Sequence, residues 1–143
     1  MKPVVLLLDR DLAFTFWLGR ALDKAGYEAL PARSIPDARK LIAETNLLPD
    51  AVIVDQTLRG GPDFLADLRE KHPVLKVIGL VKDASYPIHP EVDWQYCKPE
   101  PVDETAKVEL FRQIHGVLAA QALSHRTDVS KAKSIGSAKR KAV

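Results

Sequence analysis

Three charged residues close three separate apolar runs. Asp9 follows VVLLL, Asp55 follows AVIV, and Lys98 follows DWQYC with Pro99 behind it. Two carboxylates and an ammonium could supply a nucleophile, hard oxygen ligands for a divalent cation, and a fixed positive charge. Phosphoryl transfer onto a carboxylate needs that set, because its catalysis is mostly positioning and electrostatics. The three residues are far apart in sequence, so a fold must bring them together. In an α/β chain the carboxyl ends of parallel strands converge on one edge of the sheet, where ligands bind.

The elements that would do this are legible. Residues 3–8 read as a buried strand, being a continuous apolar run. Residues 11–25 read as a helix with Leu12, Phe16, Gly19, Leu22 and Ala25 on its apolar stripe, widened by Trp17, Leu18 and Ala21. Asp11 can cap its start and Gly26 close its end. A weaker strand at 27–32 precedes a helix that Ser34 caps, running to about residue 45 with Pro36 in its first turn. A strand is expected at 50–54, a Gly60-Gly61-Pro62 turn, a helix at 63–71 and a strand at 75–81. A short strand at 94–97 and a helix at 103–123 follow, with Val108, Phe111, Ile114, Val117 and Leu118 on one face of the helix. Residues 82–92 hold Pro87 and Pro90, and an interior proline costs a helix about 3 kcal/mol. A loop, or at most one short turn, is expected there. The alternation implies a parallel sheet with helices on both faces and right-handed crossovers.

Length and composition fit one domain: 143 residues, 46% hydrophobic and 28% charged. The net charge of +2 hides an asymmetry. Residues 1–124 carry 15 Lys and Arg against 18 Asp and Glu, a net of −3; residues 125–143 carry six against Asp128 alone, a net of +5. The expected organisation is a globular domain over 1–124 and a basic, disordered tail over 125–143. Nucleic acid is an unlikely partner, except through that tail. No signal peptide and no run of the ~18 apolar residues that a membrane helix needs are visible, which points to a cytoplasmic protein. The single Cys97 excludes an internal disulfide and reads as buried packing. His72, His89, His115 and His125 have no metal-ligand spacing and read as surface residues. Trp17 and Trp94 read as core or half-core.

With these elements in place the chain resembles the receiver domain of two-component response regulators, over about residues 3–122. LLLDRD, AVIVDQTL, KVIGLV and Cys97-Lys98-Pro99 carry the resemblance, each at a strand end and in the family's order. It implies a flavodoxin-like, doubly wound, five-stranded parallel sheet, a (βα)5 fold whose helix between strands 4 and 5 is here shortened or lost. It also implies that Asp55 accepts a phosphoryl group from a histidine kinase and that Lys98 contacts the phosphoryl oxygens. Asp9, Asp55 and the backbone carbonyl of Thr57 would be Mg²⁺ ligands. The Lys98–Pro99 bond would be cis.

Three positions depart from the family's pattern. Arg10 replaces the second acid of the metal pair, so Asp9 and Asp55 face Arg10 and Lys98 with formal charges balanced. Mg²⁺ binding is therefore expected to be weak or absent, unless Arg10 swings out to solvent. Val81 stands where a Thr or Ser hydroxyl is usual, and valine cannot donate; Ser85 is the nearest substitute. Gln95 stands where the family has a switching aromatic, flanked by Trp94 and Tyr96. The function expected is that of an atypical receiver: a non-enzymatic protein-interaction module with a degenerate pocket around Asp55, engaging a histidine kinase or another signalling protein, or a second copy of itself. The alternatives are a phosphorylatable receiver using Mg²⁺, and a small nucleotide- or flavin-binding protein. The last lacks a Gly-rich phosphate loop after the first strand.

Overall fold

A computed structural model describes residues 2–120. Nine elements follow in order: β1 (Val4–Leu8), α1 (Leu12–Lys24), β2 (Glu28–Ala32), α2 (Ile35–Thr45), β3 (Ala51–Asp55), α3 (Gly61–Lys71), β4 (Lys76–Val81), β5 (Trp94–Cys97) and α4 (Glu104–Ala119). All strand pairings are parallel, in the order β2-β1-β3-β4-β5. The order reverses between β1 and β3, which places the switch point of the sheet beside Asp9 and Asp55. The expected tail at 125–143 lies outside the described residues.

β1, β3 and β4 are covered on both faces, and this is why their sequences run apolar without alternation. Leu6, Leu8, Val52 and Val54 point to one face and pack under α2 and α3, against Ile35, Ala38, Phe64, Leu65 and Leu68. Val5, Leu7, Ile53, Ile78 and Leu80 point to the other and pack under α1 and α4, against Phe14, Leu18, Leu22, Leu110 and Ile114. No helix connects β4 to β5, in line with the two prolines. The connection instead lays Val92 and Ile88 on the α3 side of the core.

Several local expectations are corrected. The stripe of α1 is rotated: Leu12 and Phe16 are 58% and 67% exposed, while Phe14, Leu18 and Leu22 are buried. A tight turn sets this phase. The Asp11 amide donates to Asp9 Oδ1 at 2.9 Å, and Asp11 Oδ1 accepts from the Phe14 amide at 3.1 Å. Val108 is likewise exposed, and Leu110 takes its place in the core. α4 ends at Ala119 rather than near 123, where Lys76 Nζ donates to the carbonyls of Val117, Leu118 and Ala120 at 2.9, 3.3 and 2.9 Å. α3 starts at Gly61, two residues early, because Gly60 at φ 83° makes the left-handed turn into it. Cys97 is exposed, being the last residue of an edge strand. The Lys98–Pro99 bond is trans, since no cis peptide occurs among the described residues. Trans is the lower-energy form, and with it the Lys98 amide donates to the Val81 carbonyl at 2.7 Å.

Candidate functional site

The carboxyl ends of β1, β3, β4 and β5 bring Asp9, Asp55, Val81 and Lys98 to one edge of the sheet. Asp9 is only 4% exposed. A buried carboxylate needs a partner, and Lys98 provides one: its Nζ lies 2.9 Å from Asp9 Oδ1 as a hydrogen bond. It also lies 2.8 Å from Oδ2, a charge contact without hydrogen-bond geometry. The same ammonium sits 4.8 Å above the Phe14 ring and 3.8 Å from Asp11 Oδ2. Lys98 is thus held on the β1 and α1 side of the edge.

Asp55, at the end of β3, is half-buried and differently engaged. Its Oδ1 accepts from the Thr57 amide at 2.9 Å and the Thr57 hydroxyl at 2.7 Å. Among the described residues it has no ion-pair partner. A cavity of about 400 Å³ opens over it, lined by Asp11, Thr57, Val81, Lys82, Lys98 and Glu100 among others. Asp11 and Lys82 are pocket residues that sequence reasoning missed. Asp11 was read only as a helix cap, yet one carboxylate caps α1 with Oδ1 and faces Lys98 with Oδ2. The clue available was its spacing of two from Asp9. Arg10 is exposed and makes no ion pair with Asp55.

The donors that could meet a divalent cation are the Asp9 and Asp55 carboxylates and the Thr57 carbonyl. Among the described residues no three His, Cys, Asp or Glu side chains come together as a metal-holding group. Val81 is fully packed at the end of β4 and brings no donor. Ser85 is exposed, and its hydroxyl donates to Asp83 at 2.9 Å.

On the far side of Asp55 lies a second arrangement built from amides. Gln95, 4% exposed, accepts a short hydrogen bond from Gln56 Nε2. Gln95 Nε2 donates to the Tyr86 carbonyl, Gln56 Oε1 accepts from the His89 amide, and the Tyr86 hydroxyl donates to the Gln56 carbonyl, each at 3.3 Å. Gln56 reaches Gln95 by crossing over Gly79 on β4. A Cβ there would stand 2.6 Å from Gln56 Nε2 and 2.9 Å from Val92 Cγ1. Farther along the connection, Arg69 donates to Asp93 Oδ2 at 2.7 Å and to the Leu75 carbonyl at 3.0 Å, and lies 3.5 Å from Glu91. Asp93 Oδ2 also accepts from the Val77 amide at 3.0 Å. The 82–93 connection is therefore fastened at both ends. Gln56 was missed as well, since a glutamine beside an acid carries no sequence signal of this kind.

No family model and no curated protein matches the chain. Solved structures do. The chain is 26% identical to the response regulator TrrA of Thermotoga maritima, a structure in complex with Mg²⁺-BeF, with a TM-score of 0.56 over 78% of this chain and 99% of that one. The signal receiver domain of an HD domain-containing protein from Pseudomonas fluorescens is 24% identical, with a TM-score of 0.60 over 90% of this chain and 99% of that one. A CheY-like receiver domain from Methanospirillum hungatei is 21% identical, with a TM-score of 0.57 over 79% and 96%. The fold is thus that of the CheY-like response regulator receiver domains, which are signalling modules, and its helix between strands 4 and 5 is absent. No helix among the described residues is long and apolar enough to cross a membrane.

Proposed function

We propose that the chain is an atypical two-component receiver: a non-enzymatic signalling module that works by binding a histidine kinase or another signalling protein, without phosphorylation in its working cycle. One observation carries this reading. Asp9 and Lys98, the residues assigned to metal and to phosphoryl oxygens, are spent on each other at 2.8–2.9 Å. A cation bound at Asp9 would have to displace that ammonium from a carboxylate that is only 4% exposed. Arg10 stands exposed where the family has a second acid, the nearby Asp11 caps α1 with one oxygen and faces Lys98 with the other, and Val81 brings no hydroxyl, so the remaining donors do not fit a resident Mg²⁺. Mg²⁺ binding is accordingly weak or absent. The reading includes a cytoplasmic location, and the exposed Leu12 and Phe16 leave a surface for self-association.

A second reading, a phosphorylatable receiver, is favoured by Asp55 itself. Among the described residues it has no cationic partner, and it lines an open cavity that Lys98 shares. Incubation with Mg²⁺ and beryllofluoride or a small phosphodonor, read by intact mass and amide spectra against Asp55→Asn, separates the two. The expected result is no saturable change. A Mg²⁺-dependent adduct on the wild-type chain that Asp55→Asn abolishes overturns the first reading in favour of the second.

A further inference from the structure

Asp55 lines a second cavity, on the α3 side of the sheet edge, of about 300 Å³. This is the low end of the volumes that hold small molecules. Its walls are apolar: Leu58 and Leu65 on one side, and Ile88, Pro90 and Val92 of the 82–93 connection on the other. Its polar groups are few: Asp55, Gln56, Tyr86, whose hydroxyl donates to the Gln56 carbonyl, and His89, whose Nδ1 accepts from the Glu91 amide.

The walls are set before any ligand arrives. The Gln56–Gln95 pair and the Tyr86 hydroxyl tie the connection to the strand ends, and the Arg69–Asp93 pair ties its far end to α3, so the spacing between the walls is fixed. A cavity held this way spares a ligand the cost of ordering a loop. The floor is open as well. Gly61 lines the cavity, and a Cβ on it would meet nothing within 4 Å.

Charge selects the occupant. The half-buried Asp55 carboxylate takes two hydrogen bonds from Thr57 and no cation among the described residues. Lys98 and Lys82 line the other cavity on Asp55, but neither makes an ion pair with it, and Lys98 is held to Asp9. Residues 1–124 are acidic overall, with a net of −3. An anion would meet an unpaired carboxylate at close range, and a neutral apolar molecule would leave that carboxylate without a partner in a drier site.

We propose that this cavity binds a small organic cation, a flat body of one or two apolar rings bearing an ammonium or amidinium that pairs with Asp55. The ring body fills the space between Leu65 and Val92, and the cation reaches the carboxylate. The site uses Asp55 as a free carboxylate.

The probe is tryptamine, with indole-3-acetate as its anionic counterpart, titrated into the ¹⁵N-labelled protein without Mg²⁺ or phosphodonor. Tryptamine is expected to shift the amides of Gln56, Leu65, Ile88 and Val92 saturably, and indole-3-acetate to leave them in place. Asp55→Asn keeps the Thr57 contacts and should weaken tryptamine about tenfold, the scale of a lost charged hydrogen bond. Gly61→Met fills the floor with a side chain the backbone accepts and should abolish binding with the spectrum otherwise retained. The proposal is overturned if tryptamine gives no saturable shift, if both indoles bind equally, or if Asp55→Asn binds as tightly as wild type. Shifts centred on Asp9 and Lys98 instead would also overturn it. If Gly61→Met fails to fold, the probe pair and Asp55→Asn still decide.

Discussion

The two sides of Asp55 solve the same problem with different chemistry. Toward β1, a buried carboxylate is neutralised by an ammonium arriving from β5. Toward the 82–93 connection, two neutral amides join β3 to β5 across a glycine. A charge pair is strong but conditional, because removing either member leaves the other buried and unpaired. An amide pair is weaker per bond but loses less when broken, and it offers donors and acceptors for continuing the network. The charged side therefore depends on both its members. The amide side is a clasp that holds a short, proline-bearing connection in place of a helix.

Substitutions can break this contrast, the charged side first. Lys98→Met should cost about 3–5 kcal/mol at neutral pH, since Asp9 would stay buried without its ammonium. Urea unfolding measures it, and Asp9→Asn with Lys98→Met should recover part of the loss. A cost below 1 kcal/mol for Lys98→Met alone would show that Asp9 reaches water. On the amide side, Gly79→Ala should cost about 1–3 kcal/mol through overpacking against Gln56 and Val92. Adding Gln56→Ala should return some of it, because the nearest clashing atoms leave; a purely additive double mutant would place the strain elsewhere. Gln95→Ala should cost about 1–3 kcal/mol by leaving the Gln56 amide short of its partner. It should also speed hydrogen exchange at Tyr86 and His89 without touching the amide of Asp11.

The smallest effect is a pH dependence common to the opposite face of the sheet. Burial raises the phenols of Tyr27 and Tyr96 above their ordinary value of 10.0. A group whose folded value is raised contributes stability that is complete below its unfolded value and is lost as pH rises through the folded one. Stability should therefore decline above pH 10, and absorbance at 295 nm should show these two phenols ionising later in the folded chain than in urea. Phenylalanine at both positions should remove the delay.

Much of the edge was legible from sequence because strand ends are marked by a change from apolar to charged. Asp9, Asp55 and Lys98 each close a run that only a buried strand explains, and Pro87 and Pro90 excluded a helix after β4. The phase of α1 was not legible. Leu12–Phe16 and Phe14–Leu18–Leu22 are both acceptable stripes, and the turn between Asp9 and Asp11 chose between them. Asp11 and Gln56 escaped notice because a side chain's second partner is set by what the fold brings near, not by its neighbours in sequence. Cys97 was placed inside because an apolar run ended there, but an edge strand leaves its last residue open to water.

The sequence alone determined the elements, the parallel sheet and the meeting of three charged strand ends, since periodicity and burial act within a few residues. The pairing of those charges was decided only by tertiary structure. Lys98 could have turned to either aspartate; Asp9 is the more deeply buried, and a desolvated carboxylate has more to gain from an ammonium than one already held by Thr57 at the rim.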